Sequence, residues 1–273
     1  MTAEPGTTRR VLLTAGGLTL LAGCSTSATT AAHPLAAGTE TRPAAQHLSV
    51  KHQSSTSSPT AAGHPSGHGP DRRKPTPVHT RPVYYIHDGP KAIALTIDDG
   101  PSPVYTPQIL RLLARYHVTA SFSMIGVQVD EYQAVARDVA AAGHVIMNHT
   151  WQHLDLPTLP PKAARRQIDR ATEAIHRVTG QVPAFFRAPY GAWSPSIMRY
   201  LATAGMTPVD WSVDPRDWAR PGVYAIEENI LRNTGTGSII LEHDGGGDRS
   251  QTVAALRYVI PRLLDAGYHF HAL

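Results

Sequence analysis

Strand-like and helix-like segments alternate about seven times between residues 82 and 273. Short apolar runs, typical of buried strands, are separated by longer stretches in which apolar residues recur every three or four positions. The predicted strands are 83–86, 92–97, 118–125, 144–148, 184–186, 208–213, 238–241 and 268–272. The predicted helices are 104–116, 132–142, 161–179, 194–204, 223–233 and 252–266. This alternation predicts an α/β fold of about seven parallel strands with helices outside.

Polar residues follow nearly every predicted strand. In barrels of parallel strands, functional side chains collect at the carboxyl ends of the strands in this way. We therefore predict an irregular, incompletely closed (β/α) barrel rather than an open sheet.

The N-terminus has the pattern of an export signal. Arg9 and Arg10 precede an apolar run at 11–21, and the small residues of Leu-Ala-Gly follow before Cys24. A charged start, a short apolar core and a small-residue cleavage site mark a signal peptide, which we place at residues 1–23. The run is too short for an ordinary membrane-spanning helix.

Cys24 is the only cysteine, so the chain can form no intramolecular disulfide. The sequence Leu-Ala-Gly-Cys resembles the lipobox of bacterial lipoproteins, in which the cysteine is lipidated. Residues 8–13 also resemble a twin-arginine export signal. We expect an exported protein, anchored in the cell membrane through a lipid on Cys24 and facing the cell wall. The alternative is a plain secretory signal that is cut elsewhere.

Residues 24–81 are rich in Ser, Thr, Ala, Pro, Gly and His and show no helical or strand periodicity. We predict a disordered tether that lets the following domain, residues 82–273, reach a wall layer. The six histidines of the tether could sequester metal, but ordinary solvated side chains are the favoured interpretation.

The net charge of +4 belongs to the N-terminal part of the chain. Residues 1–23 carry +1 and residues 24–81 carry +4, which leaves −1 for residues 82–273. A domain that follows a phosphate backbone needs a basic surface. The charge pattern therefore argues against nucleic acid as a partner.

Two adjacent acids end a predicted buried strand at 93–101, Ile-Ala-Leu-Thr-Ile-Asp-Asp-Gly-Pro. Because the strand opens into a turn here, Asp98 and Asp99 can both reach one pocket. The carboxyl ends of strands are where α/β folds place their chemistry. The alternative is that these acids cap the next helix.

His149 and His153 follow another predicted strand at a spacing of four residues. They can point the same way if the backbone turns helically. With Asp98 or Asp99 they would form a His-His-Asp set that suits zinc or a similar divalent ion. Taken alone, such histidines are more often structural.

Three further segments carry polar residues after strands. Arg187, within 186–191, could pair with a carboxylate, and the Pro-Tyr-Gly turn after it could aim backbone N–H groups at an oxyanion. Acids and tryptophans interleave at 210–218, as in sugar sites. His243, within 239–245, could act as a general acid. Each segment has a structural alternative: a tight turn with a surface arginine at 186–191, tryptophans that cover the core at 210–218, and a hydrogen-bonded core histidine at 239–245.

Five motifs in this order resemble those of the polysaccharide deacetylase family, the family 4 carbohydrate esterases with a NodB homology domain. The motifs are Thr-x-Asp-Asp-Gly at 96–100, His-Thr-x-x-His at 149–153, Arg-x-Pro-Tyr at 187–190, Asp-x-x-Asp-Trp at 214–218 and Leu-x-His at 241–243. The resemblance covers roughly residues 82–273. One departure is Ile97, where the family usually has Phe, and it concerns packing rather than chemistry.

The resemblance implies a metal and a base. Asp99, His149 and His153 would hold a divalent ion, zinc first and cobalt as an alternative. Asp98 would be the general base that activates the attacking water. Arg187 would orient the carboxylate of Asp98 and keep it ionised. The residues alone leave open which of the two acids is the ligand.

The resemblance also assigns the remaining roles. The backbone N–H of Tyr190 would stabilise the oxyanion. His243 would protonate the departing amine, with Asp217 tuning it. Trp218 and Leu241 would form the wall of the pocket for the acetyl methyl group.

We therefore expect a monomeric, metal-dependent hydrolase that removes N-acetyl groups from a cell-wall glycan, first of all peptidoglycan. A chitooligosaccharide deacetylase or an acetylxylan esterase is the nearest alternative. A non-catalytic glycan-binding module is the alternative from another class. An unrelated zinc peptidase is disfavoured because the sequence has no His-Glu-x-x-His.

Overall fold

The computed structural model describes residues 81–273. The predicted signal peptide, the lipidation site at Cys24 and all but the last residue of the predicted tether lie outside the described residues. Within 81–273, no helix is both long enough and apolar enough to cross a membrane.

Seven strands and seven α-helices make up the described region. The strands are β1 (Ala92–Asp98), β2 (Ser121–Met124), β3 (Val145–Asn148), β4 (Phe185–Phe186), β5 (Thr207–Pro208), β6 (Ile239–His243) and β7 (His269–Phe270). The helices are α1 (Thr106–Tyr116), α2 (Gly126–Glu131), α3 (Gln133–Ala141), α4 (Pro161–Thr179), α5 (Pro195–Ala204), α6 (Val223–Asn233) and α7 (Ser250–Asp265).

All seven strands pair in parallel in one curled sheet. The order is β5-β4-β3-β2-β1-β6, and β7 pairs with the first two residues of β1. Within residues 81–273 no strand ladder joins β5 to β6, and the chain after β5 reaches β6 through an isolated bridge between Val213 and Ile240. The predicted incompletely closed (β/α) barrel is therefore confirmed.

Two predicted strands are reduced to short contacts. Residues 83–86 make one parallel bridge at Val83 and one antiparallel bridge at Tyr85. The predicted strand 208–213 is ordered as a strand only in β5, after which Val213 reaches β6. Both segments lie at the gap between β5 and β6, where the chain crosses from one sheet edge to the other and a continuous ladder cannot form.

The central strand β1 is buried along its whole length. Ile93, Leu95 and Ile97 pack into the core beneath the helices, whereas Ala92 and Ala94 pack into a separate cluster with residues of β3 and β6. This is the two-residue alternation of a strand with both faces covered. The same alternation turns the last side chain of β1, Asp98, toward the inside of the barrel mouth.

Residues that favour helix starts and stops lie at the ends of α4 and α5. Helix α4 has the predicted bounds, with Pro161 in its first turn and Gly180 after its last residue at φ 76°. The side chain of Ser194 accepts a hydrogen bond from Ile197 N and so caps α5. Pro161 and Ser194 mark where the loops that carry the motifs at 149–153 and 187–190 end.

Candidate active site

A pocket of about 410 Å³ opens at the carboxyl ends of the strands. This is the edge at which barrels of parallel strands place their functional side chains. The lining residues are Asp98, Asp99, His149, His153, Ala188, Tyr190, Trp211, Asp214, Trp218, Leu241 and His243.

Asp98 and Asp99 both reach this pocket because the backbone turns between them. Asp98 ends β1, and Asp99 takes the left-handed conformation at φ 74°. The turn packs against the loop after β6, where a Cβ on Gly245 would lie 2.0 Å from the carbonyl oxygen of Asp99. Only glycine fits that contact.

Arg187 is completely buried and pairs with Asp98. Its Nη1 donates to Asp98 Oδ1 at 2.7 Å and to Thr96 Oγ1 at 2.8 Å, and its Nη2 donates to the carbonyl oxygen of Asp210 at 3.0 Å. The alternative of a surface arginine in a tight turn is therefore excluded. Thr96 was not among the predicted partners, although its position two residues before Asp98 places it on the same strand face.

Asp99, His149 and His153 bring their ligand atoms within 4.8 Å of one another. The Nε2 atoms of the two histidines lie 3.5 Å and 3.3 Å from Asp99 Oδ1. This oxygen is buried and has no hydrogen-bond partner among residues 81–273. His149 Nδ1 lies 2.9 Å from the carbonyl oxygen of Arg187, an arrangement that puts the proton on Nδ1 and leaves the Nε2 lone pair facing Asp99. The three residues thus fit a divalent cation.

Two left-handed residues, rather than a helical turn, bring the two histidines together. Thr150 has φ 67° and His153 has φ 57°. Thr150 N donates to Asn148 Oδ1 at 2.8 Å, and His153 N donates to Thr150 Oγ1 at 2.9 Å. The side chains of Asn148 and Thr150 therefore hold the loop that positions His153.

Burial and charge oppose each other at these histidines. Burial is the largest influence on His153 and holds its pKa below the usual range. Burial also disfavours a charged His149, but Asp98 and Asp99 outweigh it and raise the pKa of His149. The neighbouring acids thus make this corner of the pocket attractive to positive charge, whether a proton or a metal ion.

His243 and Asp217 form the second polar pair of the pocket. Their Nδ1 and Oδ1 atoms are 2.7 Å apart, and Asp217 Oδ2 accepts from the backbone N–H of His243 at 2.9 Å and from Thr252 Oγ1 at 2.7 Å. Burial opposes the charged imidazole, but the bond to Asp217 and its charge raise the pKa of His243 to about 9. His243 is therefore a protonated acid near neutral pH, and Thr252 is a partner that sequence reasoning missed.

Aromatic side chains form the rim of the pocket. Tyr190 has φ 62°, is 70% exposed, and packs its ring edge to face against His153 at 4.7 Å between centroids. Trp218 is 46% exposed, so it does not merely cover the core. Leu241, which is buried, and Trp211, whose ring centroid lies 5.7 Å from Arg187 Cζ, also line the pocket.

Comparison with known proteins places this site in a family. A family model described as polysaccharide deacetylase matches residues 86–209. A chitooligosaccharide deacetylase of Sinorhizobium fredii is 41% identical over 196 residues, which covers 68% of this chain and 91% of the relative. The chain belongs to the polysaccharide deacetylase family. This chain is also 40% identical over 190 residues to a peptidoglycan-N-acetylglucosamine deacetylase of Bacillus cereus. The match covers 69% of this chain and 89% of that relative.

Solved structures of related proteins have the same fold as this chain. A crystal structure of a peptidoglycan N-acetylglucosamine deacetylase superposes with a TM-score of 0.68 at 34% identity, covering 70% of this chain and 89% of the other. A family 4 pseudoenzyme from Bacillus anthracis superposes with a TM-score of 0.67 at 28% identity, covering 71% and 67%. Since a pseudoenzyme shares the fold, the fold alone does not imply activity, which depends on the residues of the pocket.

Proposed function

We propose that this polysaccharide deacetylase hydrolyses the N-acetyl groups of N-acetylglucosamine in peptidoglycan. The observation that carries the proposal is that one pocket holds the buried Asp98–Arg187 pair, the Asp-His-His cluster and the His243–Asp217 pair. Amide hydrolysis needs a base for water, stabilisation of negative charge on oxygen, and an acid for a poor leaving group. The expected lipid anchor at Cys24 supports peptidoglycan as the polymer, because an enzyme anchored on the outer face of the cell membrane meets the cell wall first.

Asp99, His149 and His153 would hold the divalent cation, zinc or alternatively cobalt. Two imidazoles and one carboxylate leave positions for water and substrate, as in catalytic zinc sites. When bound, the cation supplies Lewis acidity, which acidifies a water molecule and stabilises negative charge on the amide oxygen.

Asp98 is the base that takes a proton from the attacking water. Its Oδ1 is occupied by Arg187, so its Oδ2, which lies 3.7 Å from His149 Nε2, is the oxygen that faces the cation cluster. The backbone N–H of Tyr190, on the exposed turn at the rim, donates to the oxygen on which charge develops.

His243 is the acid that protonates the departing amine nitrogen. Asp217 holds the imidazole through Nδ1, so Nε2–H remains for the leaving group. The amine leaves with the proton of His243 and acetate forms from the acyl group and the water oxygen. Trp218 and Leu241 enclose the acetyl methyl group.

Chitin oligomers are the second candidate substrate. Relatives named chitooligosaccharide deacetylase and peptidoglycan-N-acetylglucosamine deacetylase are equally similar to this chain, at 41% and 40% identity. Acetylated xylan is a third candidate, supported by the xylanase-linked family 4 domain that superposes with a TM-score of 0.63 at 31% identity.

The test is acetate release from peptidoglycan, chitin oligomers and acetylated xylan, with and without a chelator, by the wild type and Asp98→Asn. We expect chelator-sensitive release from peptidoglycan and a loss of about 10²-fold or more in Asp98→Asn. Release from chitin oligomers alone would replace peptidoglycan with the second candidate. Failure on all three substrates by a protein that still binds metal would favour a glycan-binding role.

A further inference from the structure

Glu242 is a completely buried carboxyl group for which the proposed reaction has no use. It lies on β6 between Leu241 and His243, which both line the pocket. Because side chains alternate along a strand, Glu242 points away from the pocket, to the helix side where Ile240 packs into the core. Neither of its oxygens accepts a hydrogen bond from a donor within residues 81–273.

The cation that acts on Glu242, Arg249, has its donors bonded elsewhere. Arg249 donates from Nε to the carbonyl oxygen of Gly245, from Nη2 to that of Gly246 and from Nη1 to that of Trp218. A buried carboxylate without a cation or a donor is strongly unfavourable, and such groups take up a proton instead.

The partner of Glu242 is the carboxylate of Asp217, whose Oδ2 accepts from the backbone N–H of His243, the residue that follows Glu242, at 2.9 Å. A carboxylate offers about four acceptor positions. Three at Asp217 are taken by His243 N, His243 Nδ1 and Thr252 Oγ1. The hydroxyl of a protonated Glu242 supplies a fourth donor, whereas an ionised Glu242 would place two negative charges in contact.

We propose that Glu242 is a positioning residue, a neutral carboxylic acid that donates a hydrogen bond to Asp217 and thereby sets the basicity of the Asp217–His243 pair. The inference rests on the role proposed above for His243. Burial raises the pKa of Glu242 well above its usual range, the adjacent Asp217 and Asp214 raise it further, and Arg249 lowers it less.

The consequence concerns how readily His243 gives up its proton. The fourth donor spreads the charge of Asp217, so Asp217 holds the imidazolium less tightly and His243 is a better acid. Without that donor Asp217 binds the proton of His243 more strongly, and proton transfer to the leaving amine becomes slower.

The test compares Glu242→Gln, which is neutral and keeps an N–H donor, with Glu242→Leu, which fills the space without a donor. We expect Glu242→Leu to lower kcat/KM about tenfold and to move the alkaline limb of its pH profile upward by about one pH unit. Glu242→Gln should retain the wild-type profile. Equal shifts in both variants, or a shift in neither, would overturn the proposal.

Infrared difference spectroscopy provides a readout that does not depend on activity. The spectrum of the wild type minus that of Glu242→Gln near neutral pH should contain the carbonyl stretch of a protonated carboxylic acid. If only a carboxylate band is lost, Glu242 is ionised and the proposal is wrong. Because this band needs no turnover, it separates failure of this inference from failure of the proposed function.

Discussion

Arg187 Nη1 donates to Asp98 Oδ1 at 2.7 Å, and neither side chain is more than 3% exposed. The two residues are 89 positions apart in the chain. The pair therefore links the end of the central strand to the loop after β4, and it fixes the orientation of the carboxylate that faces the pocket.

Arg187→Met should destabilise the protein strongly, because it leaves Asp98 buried without its cation. We expect the free energy of unfolding to fall by about 3–5 kcal/mol in urea denaturation. The double variant Asp98→Asn, Arg187→Met should lose less than the sum of the two single variants. Additive losses would show that the two side chains do not act as a pair.

His153→Ala should weaken metal binding about 100-fold or more, because it removes one of three ligand atoms that converge in the pocket. Isothermal titration of the chelator-treated protein with zinc measures the change. His176→Ala is the matched control, since this histidine is exposed near the end of α4. Equal affinity of the wild type and His153→Ala would remove His153 from the site.

The stability of the metal-free protein should depend on pH through His243. Its pKa in the folded state is about 9, above the ordinary value of 6.5, so the folded protein holds this proton more tightly than the unfolded chain. The resulting stabilisation is fully present below about pH 6.5 and is lost as the pH rises through 9.

Asp217→Asn supplies the control for this pH dependence. It removes the charge that raises the pKa of His243, so the difference in unfolding free energy between pH 6.5 and pH 9 should shrink by on the order of 1–3 kcal/mol. Urea denaturation of both chelator-treated proteins at the two pH values gives the answer. An unchanged difference would mean that Asp217 does not hold the proton of His243.

Leu241→Ala should widen the pocket for longer acyl groups. The ratio of kcat/KM for N-propionyl to N-acetyl glucosamine oligomers should rise about tenfold, the usual effect of one methylene in an apolar pocket. Ile240→Ala is the matched control, because Ile240 is equally buried but packs into the core on the helix side. If both variants shift the ratio alike, Leu241 does not line the acyl pocket.

The sequence alone determined the α/β class, the alternation of parallel strands with helices along the chain, and the bounds of α4 and α6. These follow from local signals: apolar periodicity, proline at a helix start and glycine at its end. It also determined which side chains follow the strands, and so named the residues that now line one pocket.

Only the tertiary structure decided how those side chains meet. Thr96 as a partner of Arg187, the left-handed turns that place His153, and the contact of Glu242 with Asp217 all join segments that are distant in the chain or depend on the loop conformation. The physical reason is that propensity and periodicity act over a few residues. Hydrogen bonds between strand ends are set by how the sheet curls, and a local pattern does not contain that information.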